Sequence, residues 1–544
     1  MKTNDSLEFN RMKSSSYGSG TQTAYKHSLH SLPMGEDYGK KSVRTFFDLR
    51  HTGVPENVRL KCPPLLLFSL QRISKNRVFS FLVGLIMTFF IMASYMLVSD
   101  KKGLLFILSH YQMRSVNVGT GNGSTEAFAE STVLDMKGLV ELINSKQEYP
   151  PRKVPEEEDV IETDPHLFSV IPRHFLPGIK SPCWYEEYPA EPNSDPYGSN
   201  PFFIRLRNFK NLRERLKTNF RQHLLHRDGK RLRLRCLPYF YIIGQPKCGT
   251  TDLFHRLLLH PDIRYNGIKE PHWWTRKRFG YKHNKDGSEE KYRVEDYLDL
   301  FDLTAQKIQE GLSGNSSGDR RELQSITGDG SASTMWDNQF WSIVDRDRQE
   351  AEPRFLVQDF IHTLDPTARI IVILRDPAER LYSDYLYFRS TNKSAKAFHQ
   401  SVVKSVQLFQ SCLSEKSLRS CAYDGSLYLA MPVRLHLGLY VVFLLDWLTV
   451  FHREQILVLQ LEDYAANVKV TIKKVFDFLN LGPFPEQVET ALTQLPTCNT
   501  RRTADKNLGP MLPATKDLLR EFYQPFNQKL AGVLNDNAFL WSHT

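Results

Sequence analysis

Residues 244–251 read GQPKCGTT and lie between two contrasting patterns. Residues 239–243 (YFYII) before them form a short apolar run typical of a buried strand, and residues 252–260 (DLFHRLLLH) after them have helical spacing of apolar positions. Successive backbone N–H groups in a glycine-bearing turn, followed by a helix N-terminus, bind phosphate-like anions. The sequence therefore predicts an anion-binding loop between a strand and a helix.

Further strands and helices alternate along the chain after this loop. Apolar runs at 369–374 (RIIVIL) and 455–461 (QILVLQL) predict two more buried strands. Helical patterns occupy residues 378–388, 432–451 and 467–479. Such alternation predicts an α/β fold, a P-loop-like central parallel sheet flanked by helices. Residues 202–227 carry many Arg and Lys between Leu and Phe, as in a basic amphipathic helix.

The loop differs from that of a nucleotide kinase. Gly244 and Gly249 have the spacing of a triphosphate loop, but Thr250 stands where such a loop has its lysine. The lysine lies inside the loop instead, as Lys247, and the strand at 369–374 runs into Arg375 rather than an acidic residue for magnesium. These features disfavour a kinase, because a triphosphate needs a metal to neutralise its charge. They suit a less charged anion, such as a phosphosulfate, that a lysine and backbone amides can hold without a metal.

The loop resembles the 5′-phosphosulfate motif (P-K-x-G-T-T) of Golgi carbohydrate sulfotransferases, which use 3′-phosphoadenosine 5′-phosphosulfate (PAPS). Residues 374–384 (LRDPAERLYSD) resemble the 3′-phosphate motif of that family, and the resemblance extends over residues 236–544, with a motif core at 236–510. One departure is Asp252, where the family more often has a small or hydroxyl residue, and which is expected to cap the helix.

The resemblance implies a set of donor-binding residues. Those on the 5′-phosphosulfate would be Lys247, Cys248, Gly249, Thr250 and Thr251. Those on the 3′-phosphate would be Arg375 and Ser383, where Arg suits phosphate because its contact is charge-assisted. A basic segment at 498–509 resembles the loop that closes over the nucleotide and would add Arg502 and Lys506.

Sulfuryl transfer to an alcohol needs a base for the proton, a cation on the bridging oxygen and alignment. Lys247 is the candidate cation. Residues 269–274 (KEPHWW) resemble the family's K-E-P-x-F-F segment, which implies Glu270 as the base. His272 is the competing base, since its ordinary pKa suits proton transfer near neutrality. The remaining alternative is a structural ion pair between Glu270 and Lys269.

Residues next to the candidate bases indicate which acceptor the protein binds. Trp273 and Trp274 can stack on sugar rings or belong to the core, and the basic run at 276–278 suits a sulfated acceptor or is a solvated turn. Residues 331–336 (SASTMW) correspond to a substrate-lining loop after a strand. Together with residues 181–187, these segments resemble family members that act on galactosamine glycans. That resemblance implies transfer to the 6-hydroxyl of N-acetylgalactosamine 4-sulfate in chondroitin or dermatan sulfate, giving chondroitin sulfate E units.

The N-terminal part predicts membrane attachment. Residues 81–98 (FLVGLIMTFFIMASYMLV) carry no charge, and about 20 apolar residues span a bilayer core. The expected organisation is a disordered cytoplasmic tail at 1–77, a signal-anchor transmembrane helix at 78–99, a lumenal stem at 100–165 and a lumenal catalytic domain at 166–544. Basic residues before the span place the N-terminus in the cytoplasm, as in a type II protein of the Golgi membrane.

Cysteines and sequons agree with a lumenal domain. Six of the seven cysteines follow the predicted span, where disulfides persist. Cys412 with Cys421 is the preferred pair, and Cys183 with Cys236 is the second. N-x-S/T sequons, which become glycosylation sites in a lumen, begin at Asn122, Asn315 and Asn392.

The composition bounds the partners. A formal charge of +10 favours anionic partners without choosing among them. The motifs predict a sulfated glycosaminoglycan and no nucleic acid, and a homodimer is among the assemblies that the sequence allows. Two alternatives stay open: a heparan sulfate O-sulfotransferase with the same donor motifs, and a non-catalytic glycan-binding membrane receptor.

Overall fold

The computed structural model describes residues 135–542, apart from 190, 192–193, 206–209, 265–267, 284–288, 314–322, 340, 342–351, 390–391 and 484. The predicted tail, the predicted membrane span and the first part of the predicted stem lie outside the described residues. Among the helices within these ranges, none has the length and apolar character needed to cross a bilayer.

Helices and strands alternate through most of the described chain. The helices are α1 Met136–Gln147, α2 Glu157–Thr163, α3 Pro165–Val170, α4 Pro201–Arg205, α5 Lys210–Phe220, α6 Thr250–Leu257, α7 Val294–Leu298, α8 Asp302–Ser313, α9 Val357–Leu364, α10 Pro377–Phe388, α11 Ala395–Glu415, α12 Leu418–Tyr423, α13 Gly425–Ala430, α14 Tyr440–Trp447, α15 Leu461–Ala466, α16 Val468–Phe478, α17 Glu486–Gln494, α18 Thr503–Lys506 and α19 Pro513–Leu534. The strands are β1 Cys183–Glu187, β2 Leu225–Arg227, β3 Lys230–Cys236, β4 Phe240–Gly244, β5 Tyr281–His283, β6 Glu289–Lys291, β7 Gly328–Asp329, β8 Arg369–Leu374 and β9 Ile456–Gln460.

A parallel sheet of four strands forms the centre, in the order β7-β4-β8-β9. The three strands predicted from the apolar runs are β4, β8 and β9, so the predicted parallel sheet is confirmed. The two-residue strand β7 joins the edge of β4. Its two residues carry no periodic signal, so only the family resemblance, which places residues 331–336 after a strand, predicted it.

Both faces of this sheet are buried, which explains why its strands are continuously apolar. On β8, Ile370 and Val372 face the larger core cluster, whereas Ile371 and Ile373 face a second cluster together with α6 and α16. Alternate residues of a strand point to opposite faces, so one apolar run supplies both clusters. The loops that follow β4 and β8 therefore start from strands that are packed on both faces.

The expectation of one basic helix over 202–227 is wrong. The described part of this stretch contains α4, α5, a short 3₁₀ turn and β2, and β2 turns back into β3 at Asp228 and Gly229. Both turn residues have positive φ, which Asp tolerates and Gly adopts freely. β3 also pairs with β1, giving a small antiparallel sheet outside the central one.

The packed region begins before residue 166. Helix α1 lies within the predicted stem, yet its Leu139 and Ile143 are fully buried in the larger core cluster. Arg152 donates to Asp359 of α9, and this ion pair is buried on both sides. Residues 136–165 therefore pack on the catalytic part.

Both predicted disulfides are present. Cys183 joins Cys236, linking β1 to the end of β3 immediately before β4. Cys412 joins Cys421, linking α11 to α12. Two other cysteines of the described chain, Cys248 and Cys498, are not in disulfides.

Removing these disulfides separately is expected to destabilise the protein unequally. The Cys183–Cys236 bond closes a 53-residue separation and the Cys412–Cys421 bond a 9-residue one. Loop-closure entropy gives about 4 kcal/mol for the first and about 2.5 kcal/mol for the second. Denaturant unfolding of the two Cys→Ser double variants measures the difference. Equal losses, or a larger loss for the shorter loop, would show that strain or residual structure outweighs loop closure.

Candidate active site

The loop after β4 has the predicted strand, turn and helix context. Lys247 and Gly249 both have positive φ, and α6 begins at Thr250. Gly249 has φ of 88°, a left-handed conformation that L side chains rarely adopt, which favours glycine at this turn. The first N–H groups of α6 have no partners within the helix, which suits them to an anion.

Lys247 lies against an aromatic ring and within the electrostatic fields of two carboxylates. Its Nζ is 3.6 Å from the ring centroid of Tyr387, near the end of α10. Burial lowers the pKa of Lys247 to about 8, against the opposing fields of Asp384 and Glu270. Lys247 is therefore a partly desolvated cation whose charge acts strongly on any anion in the loop.

Glu270 lies within the electrostatic field of that lysine, and Glu270 and His272 share a loop with unusual backbone geometry. Glu270 has φ of 62° and His272 has φ of 51°, in the left-handed region that costs non-glycine residues energy. Such conformations persist where the surroundings enforce them, and they cluster at functional sites. Lys269 forms an ion pair with Glu270, and His272 Nε2 is 3.8 Å from Glu270 Oε2.

The two candidate bases differ in charge and access. Burial alone would raise the pKa of Glu270, but the charge and hydrogen bond of Lys269, with the field of Arg276, lower that pKa below its ordinary value. Burial, with the field of Arg276, lowers the pKa of His272 to about 3, against the opposing field of Glu270. Glu270 is thus ionised with 32% of its side chain exposed, whereas His272 is neutral with 11% exposed.

The loop after β7 holds the His272 segment in place. Ser331 Oγ accepts a hydrogen bond from the His272 backbone N–H at 3.0 Å. Ser333 Oγ lies 2.6 Å from His272 Nδ1 and 2.8 Å from Thr275 Oγ1. A strand does precede residues 331–336, as predicted, and in the structure these serines support the segment that carries the candidate bases.

Trp273 and Trp274 belong to the core. Both are almost fully buried, and the Trp273 ring stacks on Tyr297 with centroids 5.0 Å apart. Their indole N–H groups donate to Arg293 O and to the Tyr297 hydroxyl. Of the two interpretations of this pair, sugar stacking is wrong and core packing is confirmed.

The basic run at 276–278 is divided between surface and interior. Arg278 is buried, donates to Asp164 at 3.0 Å and lies 3.9 Å from the ring centroid of Phe360. Arg276 pairs with Asp337 at 2.8 Å and stays partly exposed. Arg278 therefore fixes the position of the α2–α3 turn and is not available to an acceptor.

The predicted 3′-phosphate residues lie where the sequence places them. Arg375 follows the end of β8, and its backbone oxygen accepts a hydrogen bond from the Tyr440 hydroxyl at 2.9 Å. Ser383 lies on α10 and is buried. The Arg375 guanidinium is partly exposed and lies 3.4 Å from Glu379.

The segment from 498 to 509 runs along α10. Arg502 is largely exposed, with Cζ 5.6 Å from the Tyr387 ring centroid, and Lys506 is exposed at the end of α18. Arg501, which the sequence did not single out, pairs with Glu379 at 3.2 Å. Tyr387, Glu379 and Arg501 are thus the neighbours that sequence reasoning missed. Glu379 and Tyr387 follow Arg375 and Ser383 at helical steps of four residues, so this spacing in the sequence was the signal that could have found them.

The structure also shows the environment of Cys248 and Asp252, two residues of the loop and helix that the sequence singled out. Cys248 is fully buried, and burial raises the pKa of its thiol to about 12, so it packs beneath the loop as an unreactive side chain. Asp252 does not cap α6, because the N-cap is Gly249. Its carboxylate instead accepts hydrogen bonds from Arg256 of the same helix and from the Cys498 N–H and the Tyr464 hydroxyl outside it. Over the described residues, no group of three His, Cys, Asp or Glu side chains is arranged to hold a metal ion.

Comparisons with known proteins identify a family and several relatives. Residues 237–524 match the sulfotransferase domain family. The chain is 48% identical to carbohydrate sulfotransferase 15 of Homo sapiens and 49% identical to that of Mus musculus, over 87% of each chain. It is 25% identical to the bifunctional heparan sulfate N-deacetylase/N-sulfotransferase 4 of Mus musculus, over 55% of this chain and 30% of that one.

A solved sulfotransferase from Alicyclobacillus acidocaldarius matches with a TM-score of 0.35 and 21% identity, over 56% of this chain and 98% of its own. The family match covers more than half of the chain, and the carbohydrate sulfotransferase 15 relatives match over most of their length. The phosphosulfate-type loop, the Arg375 motif and these relatives lead to one conclusion: the chain belongs to the sulfotransferase family.

Proposed function

We propose that this protein transfers a sulfuryl group from PAPS to the 6-hydroxyl of N-acetylgalactosamine 4-sulfate in chondroitin or dermatan sulfate. The observation that carries the proposal is a half-buried lysine in the anion loop, Lys247, that lies within the electrostatic field of the Glu270 carboxylate. The acceptor is supported by the resemblance of residues 181–187, 269–278 and 331–336 to galactosamine-specific members. The 48–49% identity to carbohydrate sulfotransferase 15 points the same way.

The residues present fit the donor. The 5′-phosphosulfate of the donor can be bound by N–H donors and a side-chain cation. The loop offers the first N–H groups of α6 and the amine of Lys247 for this purpose. The 3′-phosphate needs a second cationic site, which Arg375 would provide at the end of β8. When bound, the donor supplies an SO₃ group on a phosphate leaving group.

Each catalytic role follows from position and charge. Glu270 would accept the proton of the attacking hydroxyl while that oxygen forms its bond to sulfur. Lys247 would stabilise the negative charge that collects on the phosphate oxygen as the sulfur–oxygen bond breaks. The proton ends on Glu270, and the electron pair of the broken bond ends on the phosphate.

Of the two candidate bases, Glu270 fits better. It is ionised and one third exposed, so an acceptor hydroxyl can reach it. His272 has a ring held at Nδ1 by Ser333, a pKa of about 3 and little exposure, so it is a weak and poorly accessible base. His272 is better suited to orienting Glu270.

The pH dependence should carry the signature of Lys247. The pKa of this amine is about 8, so its charge is present below that pH and lost above it. We expect kcat/KM to fall on the alkaline side with a midpoint near 8, since this parameter reports the free enzyme. In the Lys247→Arg variant the alkaline fall of kcat/KM should move to higher pH, because Arg keeps its charge. An unchanged alkaline fall in this variant would assign it to another group.

One assay tests the acceptor. Full-length protein with ³⁵S-labelled PAPS is offered chondroitin sulfate A or heparan sulfate, and the products are cleaved to disaccharides. Label in the 4,6-disulfated galactosamine unit supports the proposal. Label in heparan sulfate alone favours the heparan sulfotransferase alternative, and binding of either glycan without transfer favours the non-catalytic receptor.

We also propose the topology that the sequence predicts, a type II protein of the Golgi membrane. Two disulfides suit an oxidising lumen, and Asn392 is exposed where a glycan could attach. Protease protection of sealed Golgi vesicles, followed by glycosidase treatment, tests this orientation. Digestion of the catalytic part in intact vesicles would contradict it. A homodimer stays a prediction of the sequence.

A further inference from the structure

Asp252 is a buried carboxylate that joins three parts of the chain. It lies in the first turn of α6 with 5% of its side chain exposed. It accepts hydrogen bonds from Arg256 Nε at 2.8 Å, from the Cys498 backbone N–H at 2.8 Å and from the Tyr464 hydroxyl on α15. A side chain that only stabilised α6 would not need the last two partners.

Arg256 extends this contact along the C-terminal segment. Its guanidinium donates to the backbone oxygen of Leu492 and, at 2.9 Å, to that of Leu495. The Asp252–Arg256 pair therefore holds the backbone at three points between residues 492 and 498. Because both ions are buried and satisfied, breaking one of them leaves the other without its partner.

The segment held in this way leads directly to Arg501. Arg501 lies 3.2 Å from Glu379 Oε2, and Arg375 lies 3.4 Å from the same oxygen. The Arg501 guanidinium also lies 5.3 Å from the Tyr382 ring centroid, and the Tyr382 hydroxyl donates to Gly509 O at 3.0 Å. Two guanidiniums from distant segments thus converge beside α10.

We propose that Asp252 is a positioning residue for the donor: by holding Cys498 it places Arg501 beside Arg375, and the two arginines bind the 3′-phosphate together. This rests on the proposed donor. A phosphate offers more charge and more acceptor oxygens than the Glu379 carboxylate, so it can engage both guanidiniums. Arg501 suits the role better than Arg502, because 29% of the Arg501 side chain is exposed against 65% for Arg502.

Calorimetric titration with 3′-phosphoadenosine 5′-phosphate tests the proposal on the full-length protein in detergent. Four proteins are compared: wild type, Asp252→Asn, Arg501→Ala and the double variant. Each single variant is expected to bind about tenfold more weakly, a loss of about 1.4 kcal/mol. The double variant should also be about tenfold weaker, since Asp252 acts through Arg501.

The kinetic readout separates positioning from loss of structure. Asp252→Asn should raise KM for PAPS and leave kcat near its wild-type value. Asp477→Asn, which alters an exposed carboxylate on α16, is the matched control and should bind the nucleotide normally. Losses that add to about a hundredfold in the double variant, or unchanged binding in Asp252→Asn, would overturn the proposal.

A second variant covers the case in which Asp252→Asn fails to fold. Tyr464→Phe removes one donor to the carboxylate and keeps its charge, so it should weaken binding about threefold when Arg501 is present and have no further effect in the Arg501→Ala background. Equal weakening in both backgrounds would refute the coupling. If wild type does not bind the nucleotide, the proposed donor fails as well. If wild type binds and neither variant is affected, only the role of Asp252 fails.

Discussion

Replacing Lys247 with alanine is expected to lower kcat about a thousandfold. The Lys247 amine is the loop cation, and it lies in a partly desolvated position where its charge is felt strongly. Removing one preorganised donor to a developing anion costs about 10² to 10³ in rate, and this one also carries the charge. Transfer of ³⁵S from labelled PAPS to chondroitin sulfate A measures the loss.

Two other variants make this result specific. Lys473→Ala removes an exposed lysine of α16 and should transfer at the wild-type rate. Lys247→Arg should keep part of the activity, because charge is retained while the compact ammonium is not. If Lys247→Ala transferred within threefold of wild type, the loop cation would have to be another residue.

Glu270→Gln is expected to lower kcat by about 10³ while nucleotide binding stays unchanged. Glutamine keeps the shape and the hydrogen-bonding oxygen but cannot accept the hydroxyl proton, and a general base contributes about 10² to 10⁴. Glutamine also removes the partner of Lys269, so the thermal midpoint of each protein must be measured alongside. Calorimetry with 3′-phosphoadenosine 5′-phosphate should give the wild-type Kd.

His272 provides the comparison for this prediction. His272→Gln should cost roughly ten- to fiftyfold, because a neutral ring that orients Glu270 contributes less than the base itself. Glu521→Gln, at an exposed position of α19, is the matched control and should be fully active. A larger loss in His272→Gln than in Glu270→Gln would reverse the assignment of the base.

Local pattern predicted the central fold well. The strands β4, β8 and β9 came from apolar runs that are buried on both faces, and such runs are legible without knowledge of their neighbours. The prediction of one helix over residues 202–227 was wrong, because Arg and Lys between Leu and Phe suit a helix and a hairpin strand equally. Pairing with β3 places residues 225–227 in a sheet as β2, and β3 is itself held by a long-range pairing with β1.

The burial of side chains in the structure decided between interior and acceptor-binding roles that the sequence left open. The sequence left Trp273 and Trp274 as either sugar-stacking or core residues, and Arg278 as either an acceptor contact or part of a solvated turn. In the structure the two tryptophans pack with Tyr297, and Arg278 pairs with Asp164 inside the protein. Nothing in the order of residues tells an interior cation from a surface one. That distinction depends on which partner the fold brings to it.

The anion-binding loop is what the sequence by itself determined about this protein. Strand, turn and helix are contiguous there, and the N–H groups of the loop belong to neighbouring residues. Gly249 supplies the positive φ that the turn needs. The tertiary structure alone decided what surrounds the loop. Tyr387 against Lys247, Ser333 against His272 and Asp252 against Cys498 each join residues more than sixty positions apart. Only packing of the sheet and helices brings such residues together, and the burial it creates sets their charges.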